Sequence, residues 1–165
     1  MRMSAVPADQ VAADFRLAMR RLAGGVTVVT ASDGVRRYGM TMTAVMSLAM
    51  EPPSLVLAVN RNASIIQALT VGREFGVNLL HHSHEGFCQR FSALPSDERF
   101  TIGDWEYTPE GTPYLSGAGA AIFCRVGPMY DFGTHRLVIG TVEHSVLRDE
   151  IDPLIHLDGR YRQTR

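Results

Sequence analysis

The chain has 165 residues, 45% of them hydrophobic, enough for one buried core and no ground for two domains. Its 16 Lys and Arg are interspersed with 17 Asp and Glu for a formal net charge of -1, which excludes the basic footprint of a nucleic-acid or membrane-surface binder. No run reaches transmembrane length and the opening MRMSAVPADQ lacks a signal-peptide core; with Cys88 and Cys124 far apart in apolar or helical surroundings, the expectation is a cytoplasmic protein with reduced thiols.

In chain order, the spacing of Val11, Phe15, Ala18, Met19 and Leu22 predicts a helix of about four turns, with Asp9 as a cap and Gly24-Gly25 as its end. A β-branched strand, VTVVTA, follows, then the hairpin signal Ser32-Asp33-Gly34. From Gly39 to Ser47 the side chains alternate, so a single strand puts Met40, Met42, Ala44 and Met46 on one face and Thr41, Thr43, Val45 and Ser47 on the other. The hydroxyl face is either an ordinary solvated sheet surface or a row of donors and acceptors for a flat, heteroatom-rich ring. Pro52-Pro53 marks a turn into the apolar run at 55–59. Behind it, Asn60, Arg61, Asn62, Ala63 and Ser64 precede SIIQALT, with Ser64 placed to cap a helix. That start suits a phosphate, and a plain capped helix accounts for it as well.

The next strand, EFGVNLL, turns Phe75, Val77 and Leu79 one way and Asn78 the other, toward a potential site. A short helix within 81–93 carries Phe87, Cys88 and Phe91 inward. His81, His82 and His84 open it, but they lack HExxH spacing and a nearby cysteine, and adjacent His81 and His82 are expected to point apart; no metal site is expected. Residues 94–116 are turn-rich and hold Trp105, reading as a packed covering loop or a lid. Strands at 120–126, 129–132 and 135–147 form a hairpin with Gly140 as a bulge, and a short strand and a basic, aromatic tail end the chain. Six or seven strands with no βαβ alternation and no GxGxxG predict a mainly β, antiparallel barrel with a few short flanking helices, in one domain over 1–165.

Eight short motifs occur together in order: GVTVVT, GMT followed by Leu48 and Pro52-Pro53, NRNAS, FGVNLL, RFSA with a later RF, GTPYLSGA, GTHRLVIGTV and GRYR. In this the chain resembles the short-chain flavin reductases, the reductase components of two-component flavin monooxygenases, which have a Greek-key FMN-binding split barrel. The resemblance runs from about Phe15 onward. It implies hydride transfer from NADH or NADPH to FMN or FAD, and release of reduced flavin to an oxygenase partner. It also implies a homodimer with flavin near the subunit interface.

Carried over by position, the resemblance lays the Met40 to Ser47 strand along the flavin ring and gives the phosphate to Asn60, Arg61, Asn62, Ala63 and Ser64. Asn78 helps close the pocket, and His135 packs near the flavin and the nicotinamide as the catalytic residue. Tyr161, with Arg160 or Arg162, is a C-terminal cofactor contact. The chain departs from the family pattern at Thr134, where an acid is usual, at Ala44, where a second hydroxyl or amide is common, and at His84, where a glutamine is common. Hydride transfer between two cofactors needs no strong base, which accounts for the lack of a triad or paired carboxylates. A flavoprotein retaining FMN for its own substrate, and a non-enzymatic flavin or haem module, are the rival readings.

Overall fold

The computed structural model describes residues 6–164. The first five residues of MRMSAVPADQ, read above as lacking a signal-peptide core, and Arg165 lie outside that range. Helix α1 (Ala8–Met19) leads into strands β1 (Gly24–Gly25), β2 (Thr27–Ser32), β3 (Arg37–Met42), β4 (Val45–Met50) and β5 (Pro53–Asn60), then a 3₁₀ turn at Ser64–Gln67. After β6 (Glu74–Leu79) and a 3₁₀ turn at His82–His84 come α2 (Glu85–Ala93), β7 (Trp105–Tyr107) and β8 (Pro113–Leu115). The chain then runs through β9 (Ala120–Phe132), β10 (His135–Leu147), β11 (Ile155–Leu157) and β12 (Arg160–Arg162). No described helix is long and apolar enough to cross a membrane.

Seven strands form one antiparallel sheet in the order β3-β2-β6-β9-β10-β5-β4. β3 and β4 are its two edges, yet only Thr43 and Ala44 separate them in sequence. Three Cα steps span at most about 11 Å, whereas seven flat strands would hold their edges roughly 29 Å apart. The sheet must therefore curl until its edges meet. No ladder joins β3 to β4, so the barrel is split at this corner.

The same corner corrects one expectation. The alternating Met/Thr run is two strands, not one, and the bend at Thr43-Ala44 resets its phase. Met40 and Met42 pack against the barrel core as expected, but so does Val45, while Met46 is left exposed.

Within the barrel, Val29, Leu55, Leu57, Val59, Phe75, Val77, Cys124 and Val138 form the main core. A second cluster joins Val28 of β2 to Leu80, Phe87, Cys88, Phe91, Leu115 and Leu154. β2 is thus covered on both faces, which is why it reads as an unbroken β-branched run. The excursion at 94–116 is the cover: Thr30 Oγ1 donates to the Pro113 carbonyl at 2.6 Å, and Trp105 packs on Phe100 with centroids 4.8 Å apart. Both cysteines are buried and free, and burial pushes the Cys124 thiol up to about 12.

α1 is amphipathic but buries nothing within the chain: Phe15 is 65% exposed, and Val11, Leu17 and Leu22 are exposed too. Among the described residues its side-chain hydrogen bonds to the body come from the cap residue Arg20, whose Nε donates to Asp158 Oδ1 at 2.7 Å and Nη2 to the Asp158 carbonyl at 3.3 Å.

Candidate functional site

The split corner is the wall between two depressions. On one side, Met40, Thr41, Ala63, Ser64, Ile65, Ser92, Ser96 and Arg99 line a cleft of about 250 Å³. It adjoins a second of about 510 Å³ that shares Ser64 and Ser96. On the other side, Thr43, Ala44 and Val45 face Gly24, Gly25, Met19, Leu22 and His156 across an open groove of about 1000 Å³.

The first cleft combines hydroxyls with one cation. Four hydroxyls line it, and Thr41 Oγ1 and Ser92 Oγ lie 2.9 Å apart. Arg99 supplies the charge. Its Nη1 donates to the Gly39 carbonyl at 2.7 Å and its Nε to the Leu94 carbonyl at 3.2 Å, while the guanidinium stacks 5.7 Å from the Phe91 centroid. Burial lowers its pKa, but a guanidinium stays charged at neutral pH. Among the described residues no carboxylate lies within ion-pair distance of it. The result is a fixed cation with donors to spare.

The loop after β5 closes the cleft, though not as a capped helix. Ser64 begins a 3₁₀ turn of four residues with Ala63 at the cap position and no side-chain cap, so a helix dipole adds little. The loop is shaped locally instead: Asn62 N donates to Asn60 Oδ1 at 2.9 Å, Ala63 N to the Asn60 carbonyl at 2.9 Å and Arg61 N to the Thr134 carbonyl at 3.0 Å. The last of these binds the loop to the β9–β10 turn. His135 pairs directly with Asn60 across the ladder, and its Nδ1 lies 2.9 Å from Thr134 Oγ1. Arg61 reaches Asp131 only at 3.9 Å, because Arg136 already holds that carboxylate with a two-point contact.

Met40, Thr41, Ala63 and Ser64 are therefore brought together, Thr43 and Ala44 stand on the far wall, and His135 joins Asn60. Met42 is taken up by the core, and its carbonyl accepts from Thr27 Oγ1 at 2.8 Å. Ser47 pairs with Leu55, five residues along β5 from Asn60 and so roughly 17 Å away. Asn78 is a correction. It is fully buried, donates from Nδ2 to the Val28 carbonyl at 2.9 Å and accepts from Leu115 N at 2.7 Å, so its amide fastens β8 to the sheet. Arg160 is exposed on β12. Tyr161 packs behind α2 with its hydroxyl 3.1 Å from Cys88 Sγ, and burial with that contact pushes it up to about 12. Ser92, Ser96 and Arg99 were not singled out from sequence; RFSA and the later RF touched Ser92 and Arg99, and no motif touched Ser96.

A curled antiparallel sheet open at one corner, with hydroxyls and a guanidinium lining the opening, defines a small split barrel. Residues 19–165 match the model of the flavin reductase like domain. The chain is 36% identical over 160 residues to an NADH-dependent FMN reductase, RutF, of Methylorubrum extorquens, covering 96% of this chain and 77% of that one. It is 37% identical over 156 residues to the reductase component of an FADH2-dependent resorcinol hydroxylase of a Rhizobium species, covering 93% and 87%. The fold superposes on the NADH:FAD oxidoreductase SgcE6 of Streptomyces globisporus, solved with NAD and FAD fragments, with a TM-score of 0.87, 27% identity and 98% of each chain covered. The chain belongs to the flavin reductase-like domain family, with the split-barrel architecture its sequence led one to expect.

Proposed function

We propose that this protein is an NAD(P)H-dependent flavin reductase that takes FMN or FAD as a diffusible substrate and releases it reduced to a separate oxygenase component. The observation that carries the reading is the cleft of Thr41, Ser64, Ser92, Ser96 and Arg99 at the barrel's split, whose chemistry fits a phosphate ester. When bound, the flavin accepts a hydride from the nicotinamide. The protein orients and stabilises. Arg99 and the hydroxyls would hold the phosphate, and the corner backbone would supply donors where negative charge grows on the ring. In this reading His135, held beside Asn60 with Thr134 on its Nδ1, would pack against the incoming nicotinamide. The cleft walls are half-exposed to exposed, apart from Ile65, which favours exchange of flavin over retention.

The test is steady-state loss of nicotinamide absorbance with NADH or NADPH and free FMN, FAD or riboflavin. Turnover is expected to require added flavin and saturate with it, from a nearly colourless protein. A yellow protein turning over without added flavin would favour the retained-FMN reading, and flavin binding with no turnover in any pair would overturn the enzyme.

The functional unit in this reading is a homodimer. A twelve-residue helix in isolation is marginal in water, yet α1 exposes its entire apolar stripe. Met46, Tyr130 and Leu137 add exposed apolar side chains on β4, β9 and β10. Sedimentation is expected to give twice the chain mass, and Phe15→Asp to shift the equilibrium toward monomer with faster amide exchange in α1. A wild-type monomer at micromolar concentration sinks the dimer.

A further inference from the structure

At the opposite end of α2 from Ser92, the corner between β6 and α2 meets the segment Glu150 to Pro153. His81 pairs with Pro153 in a single β-bridge, and His82 N donates to the Asp152 carbonyl at 2.9 Å. These backbone ties gather side chains that the sequence keeps about 70 residues apart. One ligand-type atom each of His81, His82 and Asp152 lies within 4.8 Å of the other two. The expectation that adjacent histidines point apart fails here, because the chain leaves the extended strand for a 3₁₀ turn between them. Their ring centroids are 4.4 Å apart.

The decisive feature is an unsatisfied imidazole. His81 is 3% exposed, and its Nε2 has no hydrogen-bond partner. The nearest carboxylate oxygen, Glu150 Oε2, is 3.6 Å away. His82 Nδ1 is likewise buried and unbonded, although Asp152 Oδ2 lies 2.9 Å from it, too far off line to count as a hydrogen bond. Close donors that do not bond to one another are what a shared cation produces. In a tetrahedral zinc site with ligands about 2.1 Å from the metal, neighbouring ligand atoms sit roughly 3.4 Å apart and about 35° off each other's lone-pair axes. The 2.9 Å between His82 Nδ1 and Asp152 Oδ2 falls somewhat inside that spacing.

We propose that His81, His82 and Asp152 bind a divalent cation of the zinc class, with the fourth position left to solvent. His81 Nδ1 accepts from the Ser83 amide at 3.3 Å and lies 2.9 Å from Ser83 Oγ, so a cation at Nε2 would displace the proton that the neutral ring carries there. Thr164 Oγ1 donates to Asp152 Oδ1 at 3.1 Å and orients the carboxylate. Two imidazoles with a carboxylate suit zinc better than magnesium or calcium. The other acidic group, Glu74, Glu110 and Glu143, differs because Arg125 already bridges Glu110 and Glu143. The cation would clamp the segment that leads into β11 and β12 onto the β6–α2 corner.

The test uses the full chain without a histidine tag, stripped with a chelator and titrated with Zn²⁺ by calorimetry and with Co²⁺ by visible absorption. One equivalent is expected to bind and to raise the melting temperature. Asp152→Asn and His82→Gln, both on partly exposed side chains that leave the core intact, are expected to weaken binding by at least ~10–100-fold. Their circular dichroism and metal-free melting should match the parent. Absence of Zn²⁺ binding by the parent overturns the site, as does binding that survives both replacements unchanged.

Discussion

Gly140→Ala is expected to cost about 3 kcal/mol, at the upper end of ordinary overpacking. A β-carbon built on Gly140 would lie 2.5 Å from Phe75 Cζ, 2.8 Å from Phe75 Cε1 and 2.9 Å from Cys124 Cβ. Neither neighbour can yield cheaply: Phe75 and Cys124 are both completely buried, one on β6 and one on β9. Gly140 itself is pinned between Leu55 and Val126 in two ladders, next to the register shift at Val138. Against a typical total stability of roughly 5–15 kcal/mol this is a large fraction. The melting temperature should fall by roughly 6–12 °C. Urea unfolding should show a lower midpoint with an unchanged slope. Adding Phe75→Leu, which removes the ring the methyl strikes, should make the second change cost less than it does in the parent. Gly86→Ala is the control, since nothing lies within 4 Å of a β-carbon there; in α2 it should be stabilising by about 0.5–1 kcal/mol. Equal effects at the two glycines would show that packing against Phe75 does not explain Gly140.

Much of this architecture was written in local patterns. The β-branched run of β2, the Asp33-Gly34 turn, the double proline before β5 and the inward trio Phe87, Cys88 and Phe91 each announce themselves within a few residues. The corner does not. Alternation of Met and Thr runs straight through Thr43-Ala44 with no glycine or proline, so only the topology reveals that one strand is two opposite edges. Ser64 carried a cap signal, but too few residues separate it from Gly72 and β6 for a full helix, and a 3₁₀ turn results. Asn78 was placed on the correct face of β6. What covers that face, β8, comes from residues whose destination has no local signature. His135 reached the site for a reason sequence alone does not supply, its pairing with Asn60.

The same limit applies to Arg99, which lies far along the chain from Thr41 and reaches it only through the covering loop. Arg99→Met is expected to raise the KM for FMN by roughly 30–150-fold, the loss of charge-assisted hydrogen bonds worth about 2–3 kcal/mol. The substitution also removes the bonds to the Gly39 and Leu94 carbonyls, so a general loosening of β3 is a competing explanation. Riboflavin separates the two, because it keeps the ring and lacks the phosphate. If Arg99 reads the phosphate, the KM for riboflavin stays within about threefold of wild type while that for FMN climbs. Arg99→Lys keeps a charge but not the planar fork, and should fall between, closer to methionine if the two-point geometry matters. Equal losses for FMN and riboflavin would reduce Arg99 to a strut for β3. They would also move the phosphate elsewhere, with Arg36 and Arg37 of the adjoining cleft the next cations along its lining.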